Sequence, residues 1–278
     1  MGALEELIAV SRDSDKEGLP LVEVSGSRAT ITLNRPDHRN RLTPRDIAHI
    51  TQALDLLEQD SAIRCVILTG LGKVFSAGFD LNVFNDNLVS DSDAGEREIR
   101  ADDNFFGNFT QRVEDCRVPT ILAANGPVYG GGTDLALACD FRFAPEGVKA
   151  FLPAARLGIH FYERGLERYV ARLGLGAAKR LCLTSETLEQ DELLACGFFD
   201  QVLPADKLWD RVYELADTLA LMAPLAVRGM KTALNQISYG SLDREQTSKN
   251  FLQCMNSEDF KEGVTAWAEK RAPRFQGK

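Results

Sequence analysis

Three consecutive glycines stand directly before a helical pattern in VYGGGTDLALACD, residues 128–140. Backbone N–H groups at a helix N-terminus have no partner within the helix and carry a partial positive charge. Glycines at that point let another group approach these N–H groups closely. The segment therefore predicts a site for an anion or a developing oxyanion, or else tight packing of the helix against a sheet. The segment alone does not choose between the two.

The same helix carries a carboxylate, Asp134, in its first turn. A carboxylate acts as a general acid or base when it reaches within about 3 Å of the transferred proton. An aspartate in a first helical turn can instead stabilise the helix terminus by roughly 0.3–1 kcal/mol. Both roles are compatible with the sequence.

A second glycine-containing turn, TGLGKVFSAGFDL, occupies residues 69–81. It is not a dinucleotide fingerprint, because Phe75 stands where the third glycine is needed. It is not a phosphate-binding P-loop, because no Ser or Thr follows Lys73. A nucleophile elbow at Ser76 needs a glycine two positions earlier, where Val74 stands. Three familiar sites are thereby excluded for this turn.

The elements around these turns alternate strands and helices. Residues 21–36 predict a hairpin around Gly26, and Thr43 followed by Pro44 predicts the start of a helix. Residues 64–70 and 121–126 are short apolar runs, typical of strands buried on both faces. Residues 164–197 predict short helices that end at glycines, and the chain beyond residue 205 is helical. The fold class is therefore α/β with parallel pairing.

Composition narrows the function classes. The 278 residues include 44% apolar side chains and carry a formal net charge of −9, which disfavours nucleic acid as a partner. No secretory signal and no transmembrane segment is recognisable, so a cytoplasmic protein without a membrane partner is expected. The acidic residues 90–104 predict a solvated helix start or a loop. No metal site is expected, and six scattered cysteines predict reduced, mostly buried thiols: Cys65, Cys116, Cys139, Cys182, Cys196 and Cys254.

Taken together, FSAGFDL, NGPVYGGGTDLALACD and AFLPAARLGI resemble the crotonase superfamily, also called the enoyl-CoA hydratase/isomerase family. The resemblance extends from ATITLNRPDHRNRLT to EGVTAWAEKRAPRF. It implies a spiral of ββα units over residues 1–204 and a C-terminal helical trimerisation region over residues 205–278. It also implies an acyl-CoA substrate, no separate cofactor because coenzyme A is part of that substrate, and a homotrimer or a dimer of trimers.

The resemblance also implies the parts of the site. The N–H groups of Ala77 and Gly131 would form an oxyanion hole that stabilises a thioester enolate. Asp134 would be the catalytic carboxylate. The remaining predicted substrate-binding residues are Ser76, Asp80, Leu81, Gly130, His160 and Tyr162.

Hydratases of the family use two glutamates, and this chain departs from both. Asp134 stands at the first position and Ala154 at the second. Dienoyl-CoA isomerases of the family share an aspartate at the first position, and they carry another aspartate where this chain has Tyr162. The resemblance thus predicts an enoyl-CoA hydratase or isomerase of fatty acid metabolism that lacks the second glutamate, with His160, Tyr162 and Glu163 as candidate acid–base or binding groups.

Three alternatives stay open. They are an isomerase resembling dienoyl-CoA isomerases, a relative that hydrolyses the thioester or cleaves a C–C bond, and an acyl-CoA-binding protein with weak catalysis.

Overall fold

A computed structural model describes residues 2–13, 18–81 and 105–278, so the acidic stretch at 90–104 lies outside the described residues. The strands are β1 Leu21–Ser25, β2 Arg28–Leu33, β3 Cys65–Gly70, β4 Thr120–Ala123, β5 Val128–Tyr129, β6 Phe141–Pro145, β7 Lys149–Phe151, β8 Leu188–Glu189 and β9 Gln201–Leu203. The helices are α1 Ala3–Asp13, α2 Pro44–Leu57, α3 Phe105–Glu114, α4 Gly131–Ala138, α5 Glu163–Lys179, α6 Gln190–Ala195, α7 Leu208–Ala220, α8 Pro224–Ser238, α9 Arg244–Met255 and α10 Glu258–Glu269.

The larger sheet has six strands in the order β1-β2-β3-β4-β6-β9. The β1–β2 hairpin is antiparallel, and every other neighbouring pair in this sheet is parallel. All six residues of β3 are buried. The predicted hairpin, buried strands and parallel pairing are therefore confirmed.

The smaller sheet has the order β5-β7-β8, and its strand β5 lies beside the turn that follows β3. Ser76 forms an isolated parallel bridge with Val128. The Phe75 amide donates to the Pro127 carbonyl at 3.0 Å, and the Tyr129 amide donates to the Ser76 carbonyl at 2.9 Å. These bonds place the turn after β3 directly against the start of α4.

Helix boundaries follow local chemistry. Thr43 caps α2 in a capping box with Asp46, and Pro44 takes the first helical position, as the sequence predicts. Two of the glycine stops expected in residues 164–197 are confirmed. Gly174 has φ 73° and ψ 162°, so it interrupts the helical backbone within α5, and Gly197, with φ 75°, follows α6.

Two apolar cores lie on opposite faces of the larger sheet. Leu208, Val212 and Ala216 of α7 pack into the second core. The first helix beyond residue 204 thus packs against the larger sheet. The division into two domains at that residue stays a prediction. None of the described helices is both long enough and apolar enough to cross a membrane.

Candidate active site

A cavity of about 770 Å³ opens where three segments meet: the turn after β3, the start of α4, and the loop from β7 to α5. Six of the predicted site residues line it: Ala77, Leu81, Gly130, Gly131, His160 and Tyr162. The other lining residues are Phe79, Phe106, Leu152, Pro153, Ala154, Leu157, Ile159, Phe161, Glu163 and Leu166. Most of this surface is apolar, which suits an acyl group.

The glycines are required by close backbone packing. A β-carbon on Gly78, whose φ is 82°, would lie 2.2 Å from the Gly131 nitrogen. A β-carbon on Gly130 would lie 2.7 Å from the Ala77 carbonyl oxygen, and one on Gly132 would lie 2.8 Å from that of Ser76. The glycines thus allow tight packing, and the N-terminus of the helix also borders a cavity. The packing role and the predicted oxyanion site are therefore compatible with each other.

Ala77 is not placed as predicted. Its amide donates to the Arg39 carbonyl at 2.8 Å, within the loop before α2. An N–H group held in a backbone hydrogen bond is not available to a thioester oxygen in the same arrangement. The prediction of Ala77 as an oxyanion donor is therefore corrected, although the residue does line the cavity.

Ser76 and Asp80 shape the turn and are not among the residues that line the cavity, so their part in substrate binding stays a prediction. The buried Ser76 hydroxyl donates to the Asn40 carbonyl at 2.8 Å and accepts from the Gly78 amide at 3.0 Å. Asp80 forms an ion pair with Arg41 at 3.2 Å. Both side chains hold residues 76–80 against the loop before α2.

Phe79 lies between Gly78 and Asp80, and the backbones of these two neighbours both hydrogen-bond to Leu42. The Leu42 amide donates to the Gly78 carbonyl at 2.8 Å, and the Asp80 amide donates to the Leu42 carbonyl at 2.9 Å. In such a parallel bridge the N–H group of the middle residue, here Phe79, points away from the partner strand. Phe79 lines the cavity together with Gly131, the first residue of α4.

Asp134 is buried, and it does not line the cavity. One guanidinium nitrogen of Arg168 lies 2.7 Å and 2.8 Å from its two carboxylate oxygens. The hydroxyl of Tyr162, a cavity-lining residue, also donates to this carboxylate. The predicted catalytic carboxylate is thus held in a buried ion pair, and it is Tyr162 that reaches the cavity.

Arg168 also contacts a second buried carboxylate, Glu114, at 3.2 Å. Glu114 further accepts hydrogen bonds from Tyr239, the residue after α8, at 2.6 Å and from Arg172 at 3.4 Å. Burial alone would raise the pKa of Glu114, but Arg168, Tyr239 and Arg172 outweigh it, and the pKa is lowered. Asp134, Arg168 and Glu114, with Tyr162 at one end and Tyr239 at the other, are called the buried network below.

Sequence reasoning missed Arg168 and Glu114. One signal was present, because Arg164, Arg168 and Arg172 recur every four residues and so lie on one face of α5. Wherever such a stripe is buried, its guanidinium groups need carboxylate partners. The sequence does not say which carboxylate that is.

Tyr162 remains protonated at neutral pH. Burial raises its pKa well above the usual value, and the neighbouring charge of Asp134 raises it further. The phenol proton is donated to Asp134, and Phe161 stacks on the ring with centroids 4.4 Å apart. Tyr162 is therefore a fixed wall of the cavity that carries one hydroxyl.

The cysteines stand apart from this site. Cys65, Cys116 and Cys139 are buried, and burial raises the pKa of each of these thiols to about 12. Within the described ranges no group of three or more His, Cys, Asp or Glu side chains is arranged to hold a metal ion.

A family model described as enoyl-CoA hydratase/isomerase matches residues 23–278. A short-chain-enoyl-CoA hydratase of Clostridium acetobutylicum is 32% identical over 256 residues, covering 90% of this chain and 95% of that protein. A carnitinyl-CoA dehydratase of Proteus mirabilis is 32% identical over 260 residues, covering 91% of this chain and 96% of that protein.

The fold comparison agrees with the family match. The crystal structure of an enoyl-CoA hydratase from Bacillus anthracis superposes with a TM-score of 0.81 at 30% identity, covering 93% of this chain and 99% of that one. The mixed α/β crotonase-like fold expected from the sequence is thereby confirmed. The chain belongs to the enoyl-CoA hydratase/isomerase family of acyl-CoA-processing enzymes, the crotonase superfamily.

Proposed function

We propose that the protein binds the thioester of an acyl-CoA in this cavity and stabilises its enolate with the amide of Gly131, the first residue of α4. The observation that carries the proposal is the packing of the turn after β3 against the first amide of α4 at the cavity wall. Backbone amides aimed at a developing oxyanion stabilise it without reorganising.

Rapid hydration by two carboxylates is not the activity that we propose. Ala154 lines the cavity where hydratases of the family have their second glutamate, and Asp134 is paired with Arg168 behind Tyr162. We propose an enolate-forming enzyme of the hydratase/isomerase type that hydrates slowly or moves a double bond. The same two observations favour the second candidate, an acyl-CoA-binding protein with weak catalysis.

Replacement of Gly131 by proline tests the oxyanion hole. Proline lacks an N–H group and is well tolerated at a first helical position, so Gly131→Pro removes the donor and keeps the helix. We expect exchange of the α-protons of butyryl-CoA in D₂O, followed by NMR, to fall about 100–1000-fold relative to Gly131→Ala. The alanine variant is the matched control, because it adds a β-carbon beside Phe106 but retains the amide.

Assays of the wild-type protein distinguish the enzyme from the weakly catalytic binding protein. Binding of butyryl-CoA in calorimetry together with α-proton exchange supports the enzyme. Binding without exchange, and without hydration of crotonyl-CoA, supports the weakly catalytic binding protein. A protein that binds neither thioester refutes both, and equal exchange in the proline and alanine variants refutes the role of the Gly131 amide.

We also propose that the protein is a homotrimer or a dimer of trimers. An apolar depression of about 430 Å³ lies between α8 and α10, with Phe260, Val264 and Trp267 in its lining. Trp267 is 87% exposed in the single chain, and apolar patches of this kind on soluble proteins commonly mark interfaces.

Trp267→Glu is expected to lower the molecular mass measured by sedimentation velocity to that of the monomer. A charge at this position would have to be buried in the interface without a partner. Lys261→Glu, at an exposed position on the same helix, is the control and should leave the assembly unchanged. A monomeric wild type would contradict the proposal.

A further inference from the structure

Few groups in the cavity can remove a proton. Among the described lining residues the titratable side chains are His160, Tyr162 and Glu163. Tyr162 already donates its proton to Asp134 and stays protonated, so it is not a base. Asp134 does not line the cavity, and Arg168 occupies both of its oxygens. His160 and Glu163 remain.

One hydrogen bond of the exposed His160 ring indicates its tautomer. Its Nδ1 lies 2.8 Å from the Phe161 carbonyl oxygen. A carbonyl only accepts hydrogen bonds, so Nδ1 must carry the proton, and in the neutral ring Nε2 then carries the lone pair. No described residue hydrogen-bonds Nε2. In the neutral ring Nε2 is therefore the nitrogen that can accept a proton, and His160 is one of the residues that line the cavity.

Glu163 is the weaker candidate for the same task. It is the first residue of α5, where the unpaired N–H groups and the helix dipole stabilise a negative charge. Histidine is the side chain most often used for general acid–base transfer near neutral pH.

We propose that His160 Nε2 is the general base that removes the α-proton of the bound thioester. The inference rests on the proposed acyl-CoA site. Nε2 accepts the proton, and the electron pair of the broken C–H bond forms the enolate, whose negative charge lies on the thioester oxygen. The imidazolium then returns a proton to the α-carbon or to a conjugated carbon. No other reactant is consumed.

Three variants test the assignment in the α-proton exchange assay with butyryl-CoA in D₂O. We expect His160→Gln to slow exchange about 100-fold or more, since general acid–base catalysis contributes about 10²–10⁴-fold. Its affinity for butyryl-CoA in calorimetry should stay unchanged. His38→Gln, at an exposed histidine that does not line the cavity, is the control and should exchange as fast as the wild type. Added imidazole should restore exchange in His160→Gly, which a purely structural role would not allow.

The outcomes separate this inference from the proposed function. If His160→Gln exchanges like the wild type, or if exchange is lost in Glu163→Gln but not in His160→Gln, His160 is not the base. A wild type that binds butyryl-CoA without exchanging its α-protons also overturns the assignment, while the thioester site stands. A wild type that binds no acyl-CoA refutes the site itself.

Discussion

Arg168→Met should lower the free energy of unfolding by about 3–5 kcal/mol, because it leaves two buried carboxylates without their shared counterion. The Arg168, Asp134 and Glu114 side chains have no exposed surface. Methionine retains much of the side-chain volume, so the loss reflects the missing charge and hydrogen bonds more than a cavity. Urea unfolding at pH 7, followed by circular dichroism, measures it.

Arg180→Met is the matched control. Arg180 also contacts two carboxylates, Glu186 at 2.8 Å and Glu192 at 2.5 Å, but all three side chains are at least 40% exposed. Water replaces such contacts at little cost, so the unfolding midpoint should hardly move. Equal losses in the two variants would show that the buried network does not stabilise the fold.

The buried network also predicts that the folding stability decreases in acid. The pKa of Glu114 is lowered in the folded protein, so below its usual value of 4.5 the unfolded chain binds more protons than the folded chain. Stability is therefore present above that pH and is lost as the pH falls through the lowered value. Arg168→Met should weaken this dependence, because Arg168 is the principal group that counters the burial of Glu114.

Gly78→Ala should destabilise the protein by about 2–5 kcal/mol. This figure is the sum of the cost of a left-handed alanine backbone and the cost of overpacking. The new β-carbon would lie 2.2 Å from the Gly131 nitrogen and 2.8 Å from the Gly132 nitrogen. Both neighbours are backbone atoms of α4 and cannot rotate away. The turn must then move from the helix, and exchange of the butyryl-CoA α-protons should be lost together with the stability.

Gly147→Ala separates the two causes. Gly147 has φ 79°, close to the 82° of Gly78, but a β-carbon there would meet no atom within 4 Å. It should therefore cost only about 1–2 kcal/mol for the left-handed backbone and leave exchange intact. Urea unfolding and the exchange assay are run on both variants. Equal stability losses would mean that the contact with Gly131 is not restrictive.

The buried network gives the first-turn aspartate a different task from the one that its position suggested. Asp134 accepts a hydrogen bond from the Tyr162 hydroxyl, and Arg168 connects this pair to Glu114. Through Glu114 the network reaches Tyr239, the residue after α8. The cavity wall formed by Tyr162 is thereby held from within the core. The proposed base, His160, lies two residues before Tyr162 in the same loop.

The sequence by itself determined the elements and the family. The apolar run of β3, the Thr43 cap and the glycine turns each depend on neighbours in the chain, so their patterns are visible without a structure. The family motifs are likewise continuous segments in a conserved order along this chain. The absence of a glutamate at Ala154 was also readable directly.

Only the tertiary structure decided what the polar groups do. The Ala77 amide bonds to Arg39, 38 positions earlier, and Asp134 pairs with Arg168, 34 positions later. A hydrogen bond depends on which distant group the fold brings opposite, and many arrangements of the same residues satisfy the same local pattern. The donor and acid–base roles therefore depend on long-range contacts, which residue types and spacing along the chain do not specify.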